Sequence, residues 1–244
     1  MNNKRVKPII IYLLIVIVII TGVYLLSLQT TEPYADELST ADTDEITSIE
    51  KDNASIEKEI LGEYFEGEIT VPRSIQLGEG EVVEIILNPG LLSGDESIDI
   101  NEQAKDKYDT LVRKGIYPEE AYGNEDGTVS LIFDAENLEL YIQLIETNFN
   151  NNLSDSVRIS KDLKKMIIYV NEQSLLTYAA QMQTGYMVYS QILSGTPCFE
   201  WSIDVTSIYE PTGEIMFEHK LNEQNRFSMT AEEWQKRLEE VQGQ

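Results

Sequence analysis

The chain has 244 residues, 43 acidic against 18 basic, a net charge of −25 and 42% apolar residues, with one cysteine and one histidine. Such acidity repels nucleic acid and anionic headgroups, which excludes nucleic-acid partners. A single cysteine excludes an internal disulfide, and one histidine with one cysteine is too few for an ordinary zinc site.

The first elements set an address. Lys4, Arg5 and Lys7 precede Pro8–Leu28, a run without charge. About 20 apolar residues span a hydrocarbon core. The sequence therefore predicts a cytoplasmic tail over 1–7, one transmembrane helix over 8–28, and the bulk of the chain outside, because basic flanks stay on the cytoplasmic side. Cleavage as a signal peptide is disfavoured: Leu25-Leu26-Ser27-Leu28-Gln29 has no small-residue pattern, and Ala35 has Pro33 three residues before the cut. A lipid anchor needs a cysteine just after the apolar run, and the cysteine of this chain is Cys198, so no lipid anchor is expected.

Residues 29–63 carry eleven acids against Lys51 and Lys58 and read as an acidic spacer. Ile46, Ile49, Ile56 and Ile60 stand at near-helical spacing within it. The tail, the span and this spacer precede an expected α+β domain over 64–225 and a C-terminal helix over 226–244.

Within the domain, 66–72 and 81–87 read as strands joined by Gly78-Glu79-Gly80. Asn101–Lys114 reads as a helix with Gly115 at its left-handed cap. A strand over 128–133 follows the turn Asn124–Gly127. Asp134 then caps a helix with a stripe of Leu138, Tyr141, Ile142, Ile145 and Phe149. Strands over 156–160 and 166–170 flank a charged turn. Glu172–Ser194 is apolar on most sides and reads as a buried helix ended by Gly195. Phe199–Tyr209 alternates, with Phe199, Trp201, Ile203 and Val205 on the buried face. Glu210–Gly213 turns it into a strand over 214–221. Thr230-Ala231-Glu232-Glu233 is a capping box that opens a helix with Trp234, Leu238 and Val241 on one side. The fold class is α+β, a mostly antiparallel sheet with packed helices.

Several pieces resemble a family. Asn124–Val129 before a strand, the helix to Phe149, the hairpin Val157–Val170, the helix segment Thr184–Gly195 and the turn Thr212–Ile215 are similar to a group of uncharacterised small anchored extracytoplasmic proteins of Gram-positive, clostridial-type gut bacteria. The similarity spans about residues 64–225. It implies an envelope location and carries over no activity and no site residue. Members often hold a lipid-anchoring cysteine, which this chain lacks, leaving the helix as anchor.

Reactive groups are few. Cys198 with His219 is the only thiol–imidazole pair, and Pro197-Cys198 at a strand start favours a small buried residue. No G-x-S-x-G turn, P-loop or dinucleotide glycine pattern occurs. A calcium loop with Gly127 as its turn glycine would need an acid at Tyr122. Glu200 and Asp204 share a strand face that solvation explains. Trp201, Tyr186, Tyr189, Tyr209 and Phe217 suit core packing better than a sugar platform. No catalytic, cofactor-binding or metal-binding residue is assigned, and no cofactor. The expected function is a non-enzymatic binding or assembly module at the cell envelope, with a cell-wall or protein partner. The alternatives are an envelope hydrolase using carboxylates and an accessory or sensory subunit of a membrane complex.

Overall fold

The computed structural model describes residues 54–88, 91 and 98–242. The expected span over 8–28 and the spacer as far as residue 53 lie outside the described residues. Among those described, no helix is long and apolar enough to cross a membrane.

The first helix, α1, covers 54–61. It is followed by β1 (Val82–Leu87), α2 (Ile100–Arg113), β2 (Glu120–Gly123), β3 (Val129–Asp134), α3 (Ala135–Asn152), β4 (Val157–Ile159) and β5 (Lys165–Val170). The chain ends with α4 (Gln173–Leu193), β6 (Ser202–Tyr209), β7 (Glu214–Asn222) and α5 (Ala231–Gln242). The class is α+β. The single sheet expected from the sequence is two sheets. One is antiparallel, in the order β1-β3-β2; the other runs β4-β5-β6-β7. In the second sheet the hairpins β4–β5 and β6–β7 are antiparallel, whereas β5 and β6 pair parallel. The cause is α4. A helix of 21 residues returns the chain by about 30 Å to the end where β5 began, and a strand entering there runs the same way.

Helices α3 and α4 carry the core that both sheets share. The stripe on α3 is buried as its spacing predicts, and Asp134 accepts from the Asn137 amide at 2.8 Å. Phe149 stacks on Tyr186 of α4 at 5.2 Å, and Phe133 of β3 on Tyr141 at 5.3 Å. Gln191, buried on α4, donates to the carbonyls of Leu163 and Ser202 and so fastens the helix to the β4–β5 turn and to the start of β6. The capping box of α5 is formed: the Thr230 amide donates to Glu233, and the Glu233 amide to the Thr230 hydroxyl at 3.2 Å.

Several local expectations differ from the structure. Residues 66–72 form no strand. Ile69 and Val71 are buried, but their amides donate to Asn150 and Glu146 side chains of α3, at 2.7 and 2.6 Å. Helix side chains thus satisfy a backbone that a neighbouring strand was expected to pair. β2 is an addition, four residues too short to show a period. β6 begins at Ser202, because the Glu200 amide closes a turn on the Pro197 carbonyl at 2.9 Å. That turn leaves Phe199 49% exposed instead of buried. On α4, Leu175 and Tyr178 face solvent, since the first turns of the helix bury only the side that carries Leu176, Ala179 and Ala180.

The last correction moves a boundary. The acidic spacer expected over 29–63 does not include 54–61. Helix α1 lies on the outer face of the second sheet, with Leu61 against Ile167 and Ile208, and Ile56 and Ile60 beside them. Buried Glu57 accepts from the Tyr169 hydroxyl at 2.9 Å and pairs with Arg158 at 3.3 Å. Lys165 donates to the Ile60 carbonyl at the helix end, and Gly62 takes the left-handed conformation past it. The C-terminal helix is likewise part of the domain, with Trp234 stacked on Phe217 at 6.3 Å.

Candidate functional site

A sheet edge presents unpaired N–H and C=O groups, and proteins cover such edges. Three of the four edges here are covered. Along β4, the Phe65 amide donates to Ile159 and the Lys161 amide to Glu63, and Tyr64 bridges to Ser160. Along β7, Arg237 of α5 donates to the carbonyls of Ile215 and Met216, and Asn225 to that of Lys220. β2 lies under the start of α2: the Gly123 amide donates to Asn101, and a Cβ at Gly123 would fall 2.7 Å from Ile100.

β1 is the exception. It pairs with β3 on one side, and on the other no backbone group of the described residues bonds to it. Gly78–Glu81 makes the expected turn, with the Glu81 amide 3.2 Å from the Gly78 carbonyl, but the arms of this turn diverge. The gap is a groove of about 570 Å³. It is lined by Ile75, by Val83–Ile86 of β1 and by the 195–200 loop with Phe199. Val82 is itself 48% exposed at the strand start.

The groove has one sign of charge. Glu84, Asp126 and Glu200 line it, and among the described residues no lysine or arginine does. Glu84 is held by the Tyr122 hydroxyl at 2.9 Å and the Ser130 hydroxyl at 2.6 Å. Asp126 sits below the usual carboxylate range because the Thr128 hydroxyl and amide donate to it. Arg73, which lies two residues before Ile75, is engaged elsewhere, by Glu139 and Glu146 of α3.

The reactive groups weighed from sequence do not converge. Cys198 borders the groove, but burial and the nearby Asp126 push its thiol up, the wrong direction for a nucleophile. His219 lies among Phe217, Phe227 and Glu233 on the α5 side of β7. Glu200 sits in the turn before β6. Asp204 stands in register between Lys165 of β5 and Lys220 of β7, a solvated charge row. Among the described residues no group of acids, histidine and cysteine is placed to hold a metal.

The aromatic residues are dispersed. Trp201 is buried, its indole N–H donating to Glu223 at 3.1 Å. The hydroxyl of Tyr189 donates to the Leu91 carbonyl at 2.6 Å and accepts from Lys107 at 3.0 Å. That ammonium also faces the Tyr141 ring at 5.8 Å. Burial acts against the charge on Lys107, the phenols of Tyr141 and Tyr189 act for it, and the balance lies above the ordinary lysine value. At neutral pH this cluster is a lysinium held by phenols. The open β1 edge is barely marked in the sequence. Its only signal was a run, Val82–Leu87, with neither lysine nor proline to blunt it.

His219 gives a pH prediction. Burial lowers its pKa, with Glu233 acting the other way. Its contribution to stability is complete above the unfolded value of about 6.5 and is lost as pH falls from there through the depressed folded value. The melting temperature of the natural protein relative to His219→Phe should therefore decline between about pH 7.5 and 5. A constant difference over that range would contradict it.

No protein-family model matches this chain, and neither a curated protein nor a solved structure does.

Proposed function

We propose that this protein is an extracytoplasmic binding or assembly module of a Gram-positive-type cell envelope, anchored by residues 8–28, and that it engages its partner along β1. The observation that carries this reading is the one sheet edge that the described residues leave uncovered, beside an apolar groove, where they cover the other edges. Binding needs a surface kept open, whereas catalysis needs reactive groups held in reach of one another. Here the thiol and the imidazole lie apart, and the acids of the groove flank an apolar floor. The three basic residues before the uncharged run support the orientation.

The placement is tested on protoplasts expressing the full chain with a C-terminal epitope. Added protease should remove the epitope and leave the membrane-embedded start. Retention of an intact chain under conditions that digest an external control would refute the placement.

A further inference from the structure

We infer that β1 is the acceptor edge for an added strand, and that its occupant is an extended segment of a partner protein in which apolar and basic residues alternate. The inference rests on the binding-module reading and names the chemistry of the partner.

The backbone supplies the first half. In an antiparallel ladder alternate residues point their N–H and C=O to opposite sides, so pairing with β3 uses half of the groups of β1. The other half face the groove, with no bond from the described residues. The groove follows Val83–Ile86, a length of about 14 Å at 3.4 Å per residue, and so admits a strand of roughly four to six residues. Addition of an extended peptide to a free edge is a general recognition mode, in which main-chain bonds give affinity and alternate side chains give selectivity.

The side chains supply the second half. Val83 and Ile85 point to the inner side of the sheet, whereas Glu84 points to the outer side, which Ile86 shares, its carboxylate held by Tyr122 and Ser130. An added strand meets these two sides with alternate residues. Apolar side chains fit the first. The second carries Glu84 and Ile86, and because the charged residues that line the groove among those described are the acids Glu84, Asp126 and Glu200, lysine or arginine suits it. The same charges decide against a second copy of this chain. Antiparallel pairing of β1 with itself centred on Glu84 would bring two Glu84 carboxylates together and add the acids of both grooves.

The test uses the full chain in nanodiscs of phosphatidylcholine, which has no net charge. The probes are an alternating Lys-Val peptide of about eight residues, its Glu-Val counterpart, and the Lys-Val peptide N-methylated on every second residue. Binding is read by fluorescence anisotropy and by amide hydrogen exchange. The Lys-Val peptide should bind saturably and more weakly as salt rises. It should slow exchange at alternate amides of β1. Glu200→Lys, at an exposed residue whose side chain makes no hydrogen bond to the described residues, should weaken binding roughly fivefold without changing the melting temperature. Phe199→Ser should weaken it roughly tenfold. The N-methylated and Glu-Val peptides should bind at least an order of magnitude more weakly.

Equal binding of Glu-Val and Lys-Val peptides would overturn the assignment of charge. Binding without protection at β1, or no binding by a chain with unchanged melting, would overturn the site. Protection of β1 that grows with protein concentration alone would assign the edge to a second copy and refute the inference. Failure of the peptide with a chain that external protease digests defeats this inference alone. Protection of the bulk of the chain defeats the placement, whatever the peptide does.

Discussion

Trp201→Ala should lower stability by about 3–5 kcal/mol, the range for removing a large aromatic from a packed core. Trp201 is 1% exposed and is the largest fully buried side chain of the domain. Its loss removes more than contact area. The indole N–H ends on Glu223, which also accepts from Asn88 at 2.5 Å and from Arg226 at 2.9 Å. Asn88 follows the last residue of β1 and donates as well to the Cys198 carbonyl at 3.1 Å. Trp201 thus joins the start of β6 to the end of the first sheet. At about 2–4 °C per kcal/mol for a domain of this size, the melting temperature should fall by roughly 10 °C. Trp201→Phe keeps most of the ring and forfeits the hydrogen bond, so it should cost less, about 1–2 kcal/mol. A melting temperature unchanged in the alanine variant would show that the indole is not a core element and would revive the sugar-platform reading. Fluorescence gives a second check: Trp201 and Trp234 are both buried, so the natural protein should emit to the blue and resist iodide, and Trp234→Phe should leave that behaviour intact.

The features legible in the sequence are local ones. Asp134 as a helix cap, the Thr230–Glu233 capping box, Gly115 and Gly195 at positive φ, and the stripe on α3 each depend on residues within about three turns of one another. The burial of Trp201 followed from alternation with Ile203 and Val205, although the same alternation wrongly included Phe199, which a turn exposes. What was not legible is pairing. The sequence of 66–72 reads as a strand and could not reveal that Asn150 and Glu146, more than seventy residues on, take the amides of Ile69 and Val71. The parallel β5–β6 pair depends on how far α4 carries the chain. The open edge of β1 is the most non-local property of all: it exists because α5, α2 and residues 63–65 cover every other edge and none of the described residues covers this one.

Leu61→Ala separates the sequence reading of 29–63 from the structure of its last residues. A spacer residue would tolerate the change with an effect near zero. The structure places Leu61 at 4% exposure against Ile167 and Ile208, under a helix whose other apolar residues, Ile56 and Ile60, flank it. Emptying that position should cost about 2–4 kcal/mol, since the sheet beneath is rigid and collapses little into the space. Charge misled the sequence reading here. Glu57 and Glu59 among Lys58 and Glu63 look like a solvated run, but the tyrosine and arginine that bury Glu57, Tyr169 and Arg158, are over a hundred residues away. Burial and Glu57 push the Tyr169 phenol up, so the pair is a neutral hydroxyl donating to a carboxylate beside a guanidinium. Glu57→Ala should therefore destabilise as well, by less than Leu61→Ala, and the two effects should not add, because both act by loosening the same helix. Amide exchange reads the same event directly. The amides of 58–61 should exchange slowly in the natural protein and rapidly in Leu61→Ala, with those of β5 following as the outer face of the sheet is uncovered. Equal and rapid exchange across 54–61 in both proteins would show that α1 does not belong to the folded domain.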